Sequence, residues 1–263
     1  MARNSLRNVF NLIEQAKDSQ PVEQGFLSDL KRSIEITAEK SSRKPSPTYK
    51  PSSMNCIRNM WFQVMGTETD KSSESACLVG ICESGTDRHE RIQNAVSDMK
   101  ENGIDCEYID VAKFVKSRNL DYLDVVSKQG NETKLYNRSL NMSFLCDGII
   151  RYRGKYYILE IKTESIYKWS TRTDVNDAHH NQAISYSISL GLDDVIFIYI
   201  NRDNTDMKAF MFHVNNEMKE ELIGKIERCD EYVKKLTCPP KPKIANAKFC
   251  QYCGYKNSCK RNV

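Results

Sequence analysis

The sequence has no run of about 18 consecutive apolar residues, which excludes a helix crossing a membrane as one continuous stretch. Its opening, MARNSLRNVFNLIEQAKD, lacks the apolar core of a secretory leader, so an intracellular, cytoplasmic chain is expected. Internal repeats are absent. The one biased tract is EKSSRKPSPTYKPSS, where each Pro disfavours helix before it, so the tract reads as a linker or extended segment. Acidic residues are absent after Glu231, whereas Lys234, Lys235, Lys241, Lys243, Lys248, Lys256, Lys260 and Arg261 follow it. Such a one-sign tail either lies along phosphates or is a solvated basic end.

The apolar share is 40% and the charged share 28%, ordinary for a globular protein, and 263 residues can bury a sizeable core. Net charge is only +4, so composition alone barely points to nucleic acid. Ten cysteines are many for a reducing compartment, where disulfides are rare. Cys77, Cys82, Cys106, Cys146 and Cys229 are scattered and read as small buried side chains. Cys250, Cys253 and Cys259, spaced C-x2-C-x5-C in FCQYCGYKNSC, read instead as ligands of a metal or cluster that needs a fourth donor.

Residues 1 to 40 pattern as amphipathic helix, through Val9, Phe10, Leu12, Ile13, Phe26, Leu27, Leu30 and Ile34. MNCIRNMWFQVMG predicts a helix stopped at Gly66. TDRHERIQNAVSDMKENG predicts another, capped by Asp87 with Glu90 three residues on and followed by Gly103. His89, Ile92, Val96 and Met99 share one face, so His89 points inward, as a core residue unless it has a partner. A helix is expected near Val111 to Lys128, then poorly patterned polar sequence to Asn141. NNEMKEELIGKIERCDEYVKKL predicts a C-terminal helix.

NMSFLCDGIIRYRGKYYILEIKTES predicts a β-hairpin turning at Arg153-Gly154. With a two-residue loop, Tyr152 pairs with Lys155 and Asp147 lies opposite Glu160, at a Cβ separation of about 4.5–5.5 Å. A bulged loop would shift that pairing by one residue. Alternation along YILEIK puts Ile158, Glu160 and Lys162 on one face. Two facing carboxylates call for a neutralising cation, and hard oxygen ligands suit Mg²⁺ or Mn²⁺. An ammonium beside that ion can position a water, which is equipment for phosphodiester hydrolysis.

Asp147 followed by Glu160-Ile161-Lys162 resembles the signature of the PD-(D/E)XK nucleases. The order of motifs is similar to the RecB-like branch that carries an iron–sulfur cluster, which includes CRISPR-associated exonucleases and AddB-type helicase–nuclease subunits. GTDRHERIQ supplies the branch's His89, and NQAISYSISLG its Q-x3-Y pair, Gln182 and Tyr186. PSSMNCIRNMWF matches its upstream cysteine motif, with Cys56 and Arg58. The resemblance runs from about residue 48 to 260. It implies a restriction-endonuclease-like mixed α/β fold, a β-sheet core flanked by helices, with a helical iron–sulfur cap joining the N- and C-terminal segments.

On that resemblance, residues 1–45 are a helical extension and 46–263 the nuclease domain, with the cluster segment at 235–263. His89, Asp147, Glu160 and the Ile161 carbonyl would bind Mn²⁺ or Mg²⁺, with Asp147, Glu160 and Lys162 catalytic. Gln182, Tyr186 and Arg58 would position DNA. Cys56, Cys250, Cys253 and Cys259 would hold [4Fe–4S]; Cys238 is a competing fourth ligand that would make a local zinc site instead. The implied activity is exonucleolytic, on single-stranded DNA ends. The alternative is a DNA-binding or assembly subunit of a larger nuclease complex, docked through the N-terminal helices.

Overall fold

The computed structural model describes residues 21–41, 46–70, 75–241, 249–250 and 253–261. Val9, Phe10, Leu12, Ile13, Lys243 and Lys248, on which sequence expectations rest, lie outside them. The chain forms two compact units. The smaller holds α1 (Val22–Ser41) and residues 76–84. Within it Glu35 accepts the Ala76 amide at 3.1 Å, and Val22, Phe26, Leu27 and Leu30 are exposed on α1.

The larger unit is mixed α/β. Its first helix is α2 (Ile57–Val64), ending before Gly66 as expected. The helix α3 (Ala76–Asp98) begins well before the expected start, so Asp87 sits inside it and caps nothing. Next come β1 (Cys106–Ile109) and α4 (Val111–Ser117), the latter capped by Asp110, which accepts from the Lys113 amide at 2.9 Å. The helix expected to Lys128 therefore stops about two turns in. Three strands follow, β2 (Leu123–Gln129), β3 (Glu132–Asn137) and β4 (Met142–Cys146), and they form a sheet of their own.

The main sheet has the order β1-β5-β6-β7-β8, built with β5 (Gly148–Tyr152), β6 (Lys155–Glu164), β7 (Asp194–Asn201) and β8 (Met207–His213). It is mixed: β6 and β7 run parallel, and the other pairs antiparallel. This is the expected restriction-endonuclease-like sheet with flanking helices. Tyr152 pairs with Lys155, and Arg153 and Gly154 both have positive φ, 50° and 79°. That double left-handed turn matches the twist of the strands it joins, which is why a two-residue loop fixes the register here.

The expected first arm of the hairpin is two strands, not one. It breaks at Asp147, where β4 of the small sheet hands over to β5 of the large one. Between β6 and β7 lie α5 (Ile166–Ser170) and α6 (Asp177–Leu190); α7 (Asn216–Lys234) follows β8, and α8 (Lys256–Arg261) ends the described chain. Alternation on β6 sorts the core. Ile158 packs with Ala183, Ile184 and Tyr186 of α6. Leu159 and Ile161 pack with Ile92 and Val96 of α3 on the opposite face. Cys106, Cys146 and Cys229 are buried as expected, whereas Cys77 and Cys82, in the smaller unit, are exposed. Among the described residues, no helix is long and apolar enough to cross a membrane.

Candidate active site

The hairpin register places the two acids. Gly148 pairs with Leu159, so the preceding Asp147 falls opposite Glu160, one step beyond the last ladder pair. With no strand backbone beside it there, the Ile161 amide is taken by Asp147 itself, whose Oδ2 accepts it at 2.7 Å. The Asp147 carbonyl accepts from Gln93 Nε2 and Tyr108 Oη, each at 2.7 Å. Backbone and side chain of Asp147 are thus held from α3, β1 and β6 together. Gly148 must be glycine: a Cβ there would lie 2.7 Å from the Tyr108 ring.

Asp147 and Glu160 are 6% and 1% exposed. Glu160 Oε1 accepts from Lys162 Nζ, the pair alternation predicted, and from Gln182 Nε2 at 2.6 Å. Lys162 Nζ also donates to Gln182 Oε1 at 3.0 Å. Gln182 Nε2 in turn reaches Tyr186 Oη at 2.7 Å, and Tyr186 donates to the Leu145 carbonyl at 2.8 Å. Gln182 and Tyr186 are one turn apart on α6, so this chain needs their four-residue spacing. Glu160 Oε2 is buried and, among the described residues, has no hydrogen-bond partner. An orphaned carboxylate oxygen in a protein interior is destabilising unless an ion or water takes it.

His89 approaches from α3, its Nδ1 3.5 Å from Asp147 Oδ1. Its inward direction follows from the apolar face it shares with Ile92 and Val96, and Asp147 is the partner that makes it more than a core residue. Glu132, the first residue of β3, stands 3.8 Å from the same Nδ1. Donor atoms of His89, Glu132 and Asp147 all lie within 4.8 Å of one another. Glu132 was not found from sequence. Burial pulls the His89 pKa down, but the Asp147 and Glu160 carboxylates outweigh it and raise it. Burial, reinforced by Asp147, raises both Glu132 and Glu160, with Lys162 opposing the rise at Glu160. Three carboxylates against one ammonium make a hollow electrostatically suited to a divalent cation, and the nitrogen and oxygen donors are those a hard ion takes.

The cysteines gather elsewhere in the larger unit. Cys56 stands at the N-cap position of α2, and burial raises the pKa of the Cys253 thiol, with the neighbouring Cys56, Cys259 and Cys250 adding to the rise. Burial likewise raises the Cys238 thiol, against Arg58 and with Cys259 and Cys56, so both candidates for the fourth ligand lie near the C-terminal cysteines. Asn59 Nδ2 donates to Cys253 Sγ at 3.8 Å. Arg58 is 3% exposed, and its Nη2 donates to the Cys259 carbonyl at 3.2 Å, which places its guanidinium in this region. Asp70 fastens the segment further, accepting the Asn257 amide at 2.5 Å. Phe62 of α2 stacks on Tyr255 at 5.5 Å.

Neither a protein-family model nor a curated protein sequence matches the chain. Among solved structures, that of SSO0001 is similar at 14% identity, with 91% of this chain and 99% of that one covered and a TM-score of 0.48. An alkaline exonuclease (LHK-Exo) from Laribacter hongkongensis is similar at 11% identity over 73% of this chain and 90% of its own, with a TM-score of 0.46. The same exonuclease in complex with dAMP matches at 12% identity over 72% and 91%, with a TM-score of 0.40. Similarity at this distance assigns no residue of the site, whose chemistry stands on its own geometry.

Proposed function

We propose that the protein is a metal-dependent deoxyribonuclease that hydrolyses phosphodiester bonds. The observation that carries the reading is the buried, unpartnered Oε2 of Glu160 beside Asp147, with Lys162 on the other oxygen of the same carboxylate. Asp147, Glu160, His89 and Glu132 are the residues that would hold Mn²⁺ or Mg²⁺, with the Ile161 carbonyl at the same turn of strand. When bound, such an ion neutralises the phosphate under attack and makes a nearby water more acidic.

The chain's own groups do the rest. Lys162 is the one ammonium at the acids, and it orients the attacking water and offsets the charge that develops on the phosphate. Gln182, tied to both Lys162 and Glu160, fixes the direction of that ammonium. Tyr186 holds Gln182 in turn. The cysteine segment would hold a [4Fe–4S] cluster through Cys250, Cys253, Cys259 and Cys56. Its role is structural, joining α2 to the C-terminal segment. Action on single-stranded ends is what the family resemblance implies.

End-labelled single- and double-stranded DNA incubated with Mn²⁺ tests the reading. Cleavage is expected from the single-stranded ends, and none from the Glu160→Ala protein. Equal cleavage by both proteins would refute the site. A second reading, a subunit active only within a larger complex, is favoured by the exposed Val22, Phe26, Leu27 and Leu30 of α1. Cleavage by the isolated chain would dismiss it.

A further inference from the structure

The helix α5 follows directly from the strand that carries Glu160 and Lys162. It is five residues long and buries none of them. Trp169 packs against the core of the larger unit, and polar anchors hold the rest of the helix. Asp203 Oδ2 accepts the Ile166 amide at 2.8 Å. Lys208 Nζ donates to the Trp169 and Arg172 carbonyls at 2.9 and 3.0 Å and lies 4.3 Å from the centre of the Trp169 ring. Trp169 Nε1 donates to the Tyr199 carbonyl at 3.0 Å. Arg172 grips Glu164 with two hydrogen bonds of 2.6 Å and lies 4.4 Å over the Tyr199 ring.

What this scaffold presents to solvent is apolar. Tyr167 is 85% exposed and Ile166 52% exposed. A scattered surface hydrophobe needs no explanation. Two adjacent ones on a helix fixed at both ends are different, since the backbone that carries them is already ordered before a flat partner covers them. Position supplies the partner. Lys162 pairs in register with Tyr199, the residue whose carbonyl holds Trp169. From Lys162 to Ser165, where α5 begins, extended chain spans about 10 Å, roughly three nucleotide rises at 3.4 Å each. Lys168 lies beside Tyr167 and is exposed, as a phosphate contact would need.

We propose that Tyr167, flanked by Ile166, is a nucleobase-stacking platform. It would take a base of the strand a few nucleotides from the phosphodiester held at Asp147, Glu160 and Lys162. The proposal rests on the nuclease reading. Every base has a π-face, so the platform confers grip and register along a single strand without reading sequence.

The test uses the Glu160→Gln protein, which retains the strand without cutting it, and a short fluorescein-labelled single-stranded oligonucleotide with Mn²⁺, read by anisotropy. Adding Tyr167→Ala should weaken binding about 5- to 140-fold, the range for losing one base–aromatic stack. Tyr167→Trp should restore it, and Tyr167→Leu should not. One abasic site is then walked along the strand. At a single position it should weaken binding to the Tyr167 protein, and do nothing further to the Tyr167→Ala protein. Undiminished binding by Tyr167→Ala, or an abasic penalty equal in both proteins at every position, overturns the platform and leaves the nuclease reading intact. If the unmodified chain neither binds nor cleaves the strand with Mn²⁺, the nuclease reading falls and takes the platform with it.

Discussion

Replacing Glu160 with glutamine should move stability and activity in opposite directions. The carboxylate is 1% exposed, its Oε1 serves Lys162 and Gln182, and its Oε2 has no partner. Glutamine keeps an oxygen for both donors and removes the charge that burial and Asp147 oppose. Holding that charge in the interior raises the Glu160 pKa to about 7, first through burial and then through Asp147, which near neutral pH corresponds to about 1–3 kcal/mol of lost folding stability. The metal-free Glu160→Gln protein should therefore be more stable than wild type by about that amount. For a chain of this size each kcal/mol moves Tm by about 2–4 °C, so the rise should be about 2–12 °C. Mn²⁺ tests the other half. An ion present at 100 times its Kd stabilises by about 2.7 kcal/mol, so wild type should gain about 5–11 °C and the variant much less. Cleavage of labelled DNA should fall to background. Calorimetric melting with and without Mn²⁺ reads all of it. A metal-free variant less stable than wild type, or an equal Mn²⁺ gain in both, would refute the reasoning.

Gly148→Ala drives a methyl into the Tyr108 ring, and overpacking of this kind costs about 1–3 kcal/mol; because Tyr108 holds the Asp147 carbonyl, urea unfolding and cleavage should both suffer. Arg172→Ala strands Glu164, which is 6% exposed, and should cost about 3–5 kcal/mol in a urea titration, while the double change Arg172→Met/Glu164→Leu recovers most of that. Burial, helped by the Lys162 and Arg172 charges, brings the His179 pKa down to about 3. Between that value and an ordinary histidine's, the unfolded chain takes up a proton that the folded one refuses. The stability tied to His179 is therefore complete above about pH 6.5 and drains as pH falls, by about 2 kcal/mol at pH 5. His179→Gln should remove that increment, measured as the difference between urea midpoints at neutral pH and pH 5. Anaerobically purified protein should be brown, and Cys259→Ser should bleach it; a colourless, zinc-loaded wild type would overturn the cluster.

The catalytic hairpin was legible because its geometry is local. One two-residue turn sets the pairing, and counting back from it places Asp147 against Glu160. Glu132 was hidden because the strand it opens disguises its period. The buried positions of β3 are Thr133, Leu135 and Asn137, so two of the three inward residues are polar and the alternation reads as loop. The partner β2 carries a register shift between Val125 and Ser127, which breaks its own pattern. The early start of α3 was hidden by Gly80, Gly85 and the Ser and Thr around them, which discourage helix in isolation and are overridden here by context. Nothing along NMSFLCDGII marks a change of sheet except Gly148. The reason for that glycine is a ring more than thirty residues away in sequence, Tyr108.

Asp147 is the last residue before one sheet gives way to the other, and Glu132 comes from the small sheet while Glu160 belongs to the large one. An ion gripped by His89, Glu132 and Asp147 would act as a rivet at that seam, tying the small sheet to the residue from which the large one starts. Loading the site should then slow amide hydrogen exchange along β3, and stripping it should let that small sheet breathe while β6 and β7 stay shut.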